Sequence, residues 1–119
     1  MTYIALLIYL FAAHFLADYP LQGDFLAKAK NHLNPITGIP WFIAMVAHVF
    51  IHAFFVFVLT GSYLFFVIEF ISHFTLDHFK CSNKISFLTD QFAHLFIKVL
   101  YVMILVWLHV LPIIHITII

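Results

Sequence analysis

"EFISHFTLDHFK", residues Glu69 to Lys80, sets the terms for the whole chain. Glu69, His73 and Asp77 recur four apart, which places them one turn above another on a single face of an α-helix. At 100° per residue Lys80 falls within the same arc, while His78 points away. The rest of the stretch is mostly Phe, Ile and Leu. A helix that is apolar all round except for one ionisable stripe belongs in lipid, with the stripe turned inward towards other helices.

Composition agrees. Of 119 residues, 66% are hydrophobic and only 8% charged, and mean hydropathy is +1.13. Soluble domains are about 25% charged and about half apolar. The solvent for this chain is therefore lipid. There is no Arg, and five Lys balance five acids. Without a basic patch, a nucleic-acid partner is excluded. The single Cys81 cannot form an internal disulfide, and an isolated thiol at a helix end reads as incidental. The N-terminal apolar run lacks a basic leader and a small-residue cleavage site, so a retained span is expected, not a signal peptide.

Four apolar stretches, about 2–19, 41–60, 63–79 and 89–111, are each near the roughly 17–25 residues of a membrane-spanning helix. Helix is the state that satisfies backbone groups inside hydrocarbon. The expected fold is all-α: a single polytopic membrane domain over residues 1–119, built as a four-transmembrane-helix bundle. Between the first two spans, "PLQGDFLAKAKNHLNPITGIP" is broken by proline and glycine. Within it, Asp24 to His32 reads as a short interfacial helix. Thr60 to Ser62 is a tight turn, and Pro112 ends or kinks the last helix before the tail "IIHITII". Lys28, Lys30, Lys80 and Lys84 fall on one side of this plan. By the positive-inside tendency that side is cytoplasmic and both termini are outside, in a bacterial inner membrane or its phage-encoded equivalent. Lys28 and Lys30 read as a solvated set facing headgroups.

The four-residue spacing recurs in every span: His14 and Asp18; His48 and His52; Glu69, His73 and Asp77; Asp90, His94 and Lys98. At a rise of ~1.5 Å per residue these groups share the lysine-side half of the bundle. Lys98 meets only Glu69 at its depth, so the two are expected to pair, as support for the site and not as part of it. The remainder, His14, Asp18, His48, His52, His73, Asp77, Asp90 and His94, offers more carboxylates than nearby cations would neutralise. Neutral imidazoles with carboxylates describe a divalent-metal centre: zinc first, iron, manganese or nickel next, copper(I) and iron–sulfur disfavoured for want of Cys. Eight candidates suit one ion with orienting partners, or two ions, the reading favoured here. Gln22 and Gln91 are hydrogen-bonding supports. His32, His78, His109 and His115 are left out, and the abundant Phe is packing surface.

The ordered set "AHFLADYPLQGDFLAKAK", the His48/His52 pair, "SHFTLDHFK" and "DQFAH" resembles a family of small bacterial and phage membrane proteins, domain of unknown function 3307. Its pattern here is His14, Asp18, Gln22, Lys28, His48, His52, His73, Asp77, Lys80, Asp90, Gln91 and His94. The resemblance implies a membrane protein and no settled activity. More loosely, the chain is similar to small membrane-bound metal-dependent hydrolases, which is an analogy of fold.

The leading expectation is a metal-dependent hydrolase of a lipid or lipid-linked substrate, such as a lipid phosphate, at the cytoplasmic leaflet. Asp18 or Asp90 is then the candidate general base, and Lys80 the grip on an anionic group. A divalent-cation (zinc-like) transporter or metal-binding membrane protein is the alternative. The HxxxD pairs resemble the intramembrane zinc site of cation diffusion facilitators, though no repeated half is present unless a homo-oligomer supplies it. A di-iron lipid oxygenase is a third reading and a plain interaction module a fourth. Interhelical hydrogen bonding is the bland account of the cluster.

Overall fold

The computed structural model describes residues 1–112. The tail after Pro112, with His115, lies outside the described residues. Five α-helices follow one another: α1 (Tyr3–Asp18), α2 (Gly23–Ala29), α3 (Trp41–Thr60), α4 (Tyr63–Cys81) and α5 (Phe87–Trp107), with no strand among the described residues.

The helix ends follow from local chemistry. Thr2, Ser62 and Ser86 cap α1, α4 and α5, each hydroxyl accepting from a backbone N–H three residues on, which satisfies a donor the helix leaves free. Between α3 and α4 the chain reverses at Gly61, whose φ of 68° is left-handed and suits a residue without Cβ. The α4 and α5 ends are both Schellman closures. Asn83 (φ 59°) and His109 (φ 53°) sit in the left-handed position. Lys84 N–H donates to Phe79 O at 2.9 Å, and Val110 N–H to Leu105 O at 3.0 Å.

Two boundaries differ from those expected. The last helix stops at Trp107, not near residue 111, because the His109 turn closes it before Pro112 is reached. The connecting helix covers Gly23–Ala29 and not 24–32. It meets α1 at 80° and packs on α3.

α3 and α5 are by themselves long and apolar enough to cross a membrane, and α1 with α2 is so only as a bent pair. Two helices miss by sequence content. α1 has 16 residues, about 24 Å at 1.5 Å per residue. α4 carries Glu69, Asp77 and Lys80.

α3 and α4 form an antiparallel hairpin, and α1 and α5 pack against it and against each other. The interior is layered. In the halves far from Lys28, Lys30, Lys80 and Lys84, Leu6, Leu10, Val56, Phe65, Tyr101, Val102 and Leu105 form an apolar cluster drawn from all four long helices. A smaller one, Met45, Val49 and Cys81, lies between α3 and α4 with Trp41, Phe70 and Phe74. The interior between and beside them is polar.

Candidate metal centre

The stripes of all four long helices meet. His14, His48, His73 and His94 are 0–1% exposed, His52 is 2%, and Asp77 and Asp90 are fully buried. Ring centroids lie 3.8 Å apart for His52–His73 and 3.9 Å for His73–His94. His14 is 5.1 Å from His52 and 5.2 Å from His94. These contacts join α1, α3, α4 and α5 at one level.

Around Asp18 the arrangement is closest. His52 Nε2 is 3.0 Å and His48 Nε2 3.4 Å from Asp18 Oδ1. His14 Nε2 is 3.3 Å from Oδ2, and the Gln91 amide donates to the same oxygen at 2.8 Å. Asp18, His48, His52 and His73 each bring one potential ligand atom within 4.8 Å of the others. A second such group is His73, Asp77 and His94.

Two features fit a divalent ion better than a set of hydrogen bonds. Nε2 of His48, His73 and His94 is buried with no hydrogen-bond partner, although His48 Nε2 lies 3.4 Å from Asp18 and 3.2 Å from Asp77. The atoms are close but not aimed at one another. Ligands around a tetrahedral ion at ~2.0–2.1 Å are themselves about 3.3 Å apart, with lone pairs pointing at the centre. Buried polar atoms normally find partners, and a cation held by the Asp18 group would satisfy those of His48 and His73 together.

His73 shows how a ligand is oriented. Its Nδ1–H donates to Glu69 Oε1 at 3.1 Å, which leaves the Nε2 lone pair turned into the cluster. Glu69 is held in turn by the Lys98 ammonium and by the Tyr101 hydroxyl at 3.0 Å. Tyr101 also stacks on Phe65, 4.6 Å between centroids. The polar floor is thus tied to the apolar layer behind it.

Of the eight ligands expected from sequence, six fall in the two groups, while His14 and Asp90 flank them. His14 lies against Asp18 and, at 3.4 Å, Gln91 Oε1. Asp90 accepts from Lys80 at 3.1 Å and lies 3.2 Å from His94. Gln22 donates to the Asp18 carbonyl at 3.1 Å and so supports the end of α1. His78 stacks on His32, 4.2 Å between centroids, outside the cluster.

One expectation is overturned. Lys28 is exposed, but Lys30 is not solvated: it is 2% exposed and its ammonium pairs with Asp77 Oδ2. The supposed shortage of cations falls with it, since Lys80 also reaches Asp77, at 3.2 Å, as well as Asp90. No long-helix periodicity marks Lys30, because it caps the short α2, which turns 80° away from α1 and packs on α3. Tyr101 was also missed, and it had a signal: three residues after Lys98, it continues the Asp90–His94–Lys98 face.

Access is from the lysine end. A cavity of about 250 Å³ is lined by Asp18, Gln22, Asp24 and Lys80 with Tyr19 and Phe87. Larger hollows on α3 and in the α1–α3 groove have apolar walls and avoid the cluster.

The model of one family matches residues 6–118, nearly the whole chain. The chain belongs to that family, described as protein of unknown function (DUF3307). No curated protein and no solved structure matches this DUF3307 protein. Its chemistry is therefore argued from its own residues.

Proposed function

We propose that this DUF3307 protein is a metal-dependent membrane hydrolase acting on a lipid or lipid-linked phosphoester, ester or amide at the cytoplasmic leaflet. One observation carries the reading: Asp18 belongs at once to the imidazole group and to the residues that line the polar cavity. Substrate entering that cavity meets the group directly. A divalent ion held there, zinc by the donor set, would supply a water acidified towards neutrality.

The chain's own residues do the rest. His48, His52, His73 and Asp18 hold the centre, and Glu69 keeps His73 in the required tautomer. Asp90 Oδ1, buried without a hydrogen-bond partner, is placed to take a proton. Lys80, with a side chain 20% exposed, keeps an N–H free for an anionic oxygen after serving Asp77 and Asp90.

The same reading takes α1, α3, α4 and α5 as four spans and α2 as the interfacial piece, with the lysine end cytoplasmic. The charged residues that disqualify α4 on composition support this. Glu69 and Asp77 are fully buried, whereas Leu64, Val67 and Ile71 face outward. The surface offered to lipid is apolar, as a span requires. The apolar layer behind the cluster favours an enzyme over a transporter, which needs a route to both sides.

The test is turnover of vesicle-borne lipid phosphates and esters by purified protein with zinc, set beside zinc flux into liposomes. Turnover lost in Asp18→Asn supports hydrolysis. Flux without turnover replaces it by transport.

A further inference from the structure

Four carboxylates are buried in the interior: Asp18, Glu69, Asp77 and Asp90. Three lysines reach them. Lys98 serves Glu69, Lys30 serves Asp77, and Lys80 spans Asp77 and Asp90. Asp18 alone meets no lysine among the described residues; its neighbours are imidazoles and the Gln91 amide. Four carboxylates meet three lysines, and the one that no lysine reaches lies where three imidazoles converge.

The second group of donor atoms is in a different condition. Asp77 Oδ2 carries Lys30, and Oδ1 accepts from Lys80 at 3.2 Å. Both oxygens are occupied by unit positive charges, which repel a divalent ion placed between them. The group also borrows His73, which has only Nε2 to give because Nδ1–H donates to Glu69. A single lone pair serves one ion. His73 Nε2 is 3.9 Å from Asp77 Oδ1; once it is committed to the Asp18 group, Asp77 and His94 remain, with Asp90 Oδ1 3.2 Å from His94 Nε2, and it is the ammonium on Asp77 that keeps an ion from them.

We propose that the cluster takes one divalent ion, on Asp18, His48, His52 and His73, and that the Lys30 ammonium occupies the place on Asp77 that a second ion takes in a dinuclear centre. This replaces the two-ion expectation and rests on the metal-centre reading above. In two-ion hydrolases the second cation balances charge on the attacking or leaving oxygen. Here a covalently attached ammonium, delivered by the end of α2, supplies a fixed positive charge with no open coordination position.

The experiment counts ions. Protein purified in detergent is loaded with zinc, freed of excess and analysed for metal per chain. The wild type and Lys30→Arg are expected to bind one ion. Lys30→Met is expected to bind two, because Asp77 is released and a second carboxylate charge is left uncompensated. The double variant Lys30→Met/Asp77→Asn, which removes the buried pair without stranding either charge, is expected to return to one.

Two ions in the wild type overturn the proposal while leaving the metal centre standing. One ion in folded Lys30→Met overturns the role of Lys30. If Lys30→Met does not fold, the double variant decides: one ion supports the assignment to Asp18, and none overturns it. No ion in the wild type removes the metal centre itself, a failure distinct from the others.

Discussion

His73 donates from Nδ1 to Glu69 Oε1 at 3.1 Å, so a carboxylate outside the candidate metal group determines which imidazole nitrogen faces into it. The same carboxylate carries Lys98 and Tyr101. Orientation of a ligand and burial of an ion pair are therefore one problem for this fold, and they separate under mutation.

Lys98→Met strands Glu69 as a buried charge. Breaking one side of such a pair costs about 3–5 kcal/mol, whereas replacing both partners by apolar groups is often near neutral. Unfolding in detergent, followed by circular dichroism, should show Lys98→Met far less stable than Glu69→Leu/Lys98→Met.

That double variant should nevertheless bind zinc about 10–100-fold more weakly, the usual cost of losing the partner that orients a ligating imidazole. Competition with a chromophoric chelator measures it. Unchanged affinity would mean that His73 needs no orienting carboxylate.

Zinc should stabilise the wild type by mass action. At a hundredfold excess over Kd the gain is about 2.7 kcal/mol, readable as a rise in Tm that a chelator reverses. His52→Ala, which removes a donor 3.0 Å from Asp18, should abolish the rise.

Gly61→Ala is the control. The added Cβ meets nothing within 4 Å, so only the left-handed φ of 68° resists it. The expected loss is about 1–2 kcal/mol, with zinc stoichiometry unchanged, as measured by thermal unfolding and metal analysis together.

Topology is open to labelling. In a Cys81→Ala background, a cysteine at exposed Lys84 should react with a membrane-impermeant maleimide only from the cytoplasmic side, and one at Ser62 only from the other. The reverse pattern would invert the assignment made from lysine placement.

The polar faces were legible in the sequence because a regular helix converts spacing into direction. His48 with His52, and Glu69 with His73 and Asp77, needed nothing more than a period near four. What periodicity could not reach lay where the backbone is irregular. Lys30 follows α2 in a segment of turns and prolines, and only the folded-back path brings it to Asp77. The end of α5 was hidden for a related reason: His109 adopts a left-handed φ usually taken by Gly or Asn. How the lysines divide among the carboxylates was also illegible, since that depends on side-chain reach across helices.

The layer of Leu6, Leu10, Val56, Phe65, Val102 and Leu105 behind the cluster has an electrical consequence. Apart from the Tyr101 hydroxyl, which donates to Glu69 on the cluster side, its side chains are hydrocarbon and offer no relay for protons, so in the proposed four-span arrangement a pocket rich in titratable groups would be wetted from one compartment without short-circuiting the gradient across the bilayer. In the same arrangement a divalent cation reaching Asp18 would cross only part of the transmembrane field, and its occupancy should respond to voltage by less than the ~4.6 kcal/mol per 100 mV of a full two-charge crossing, twice the figure for one elementary charge.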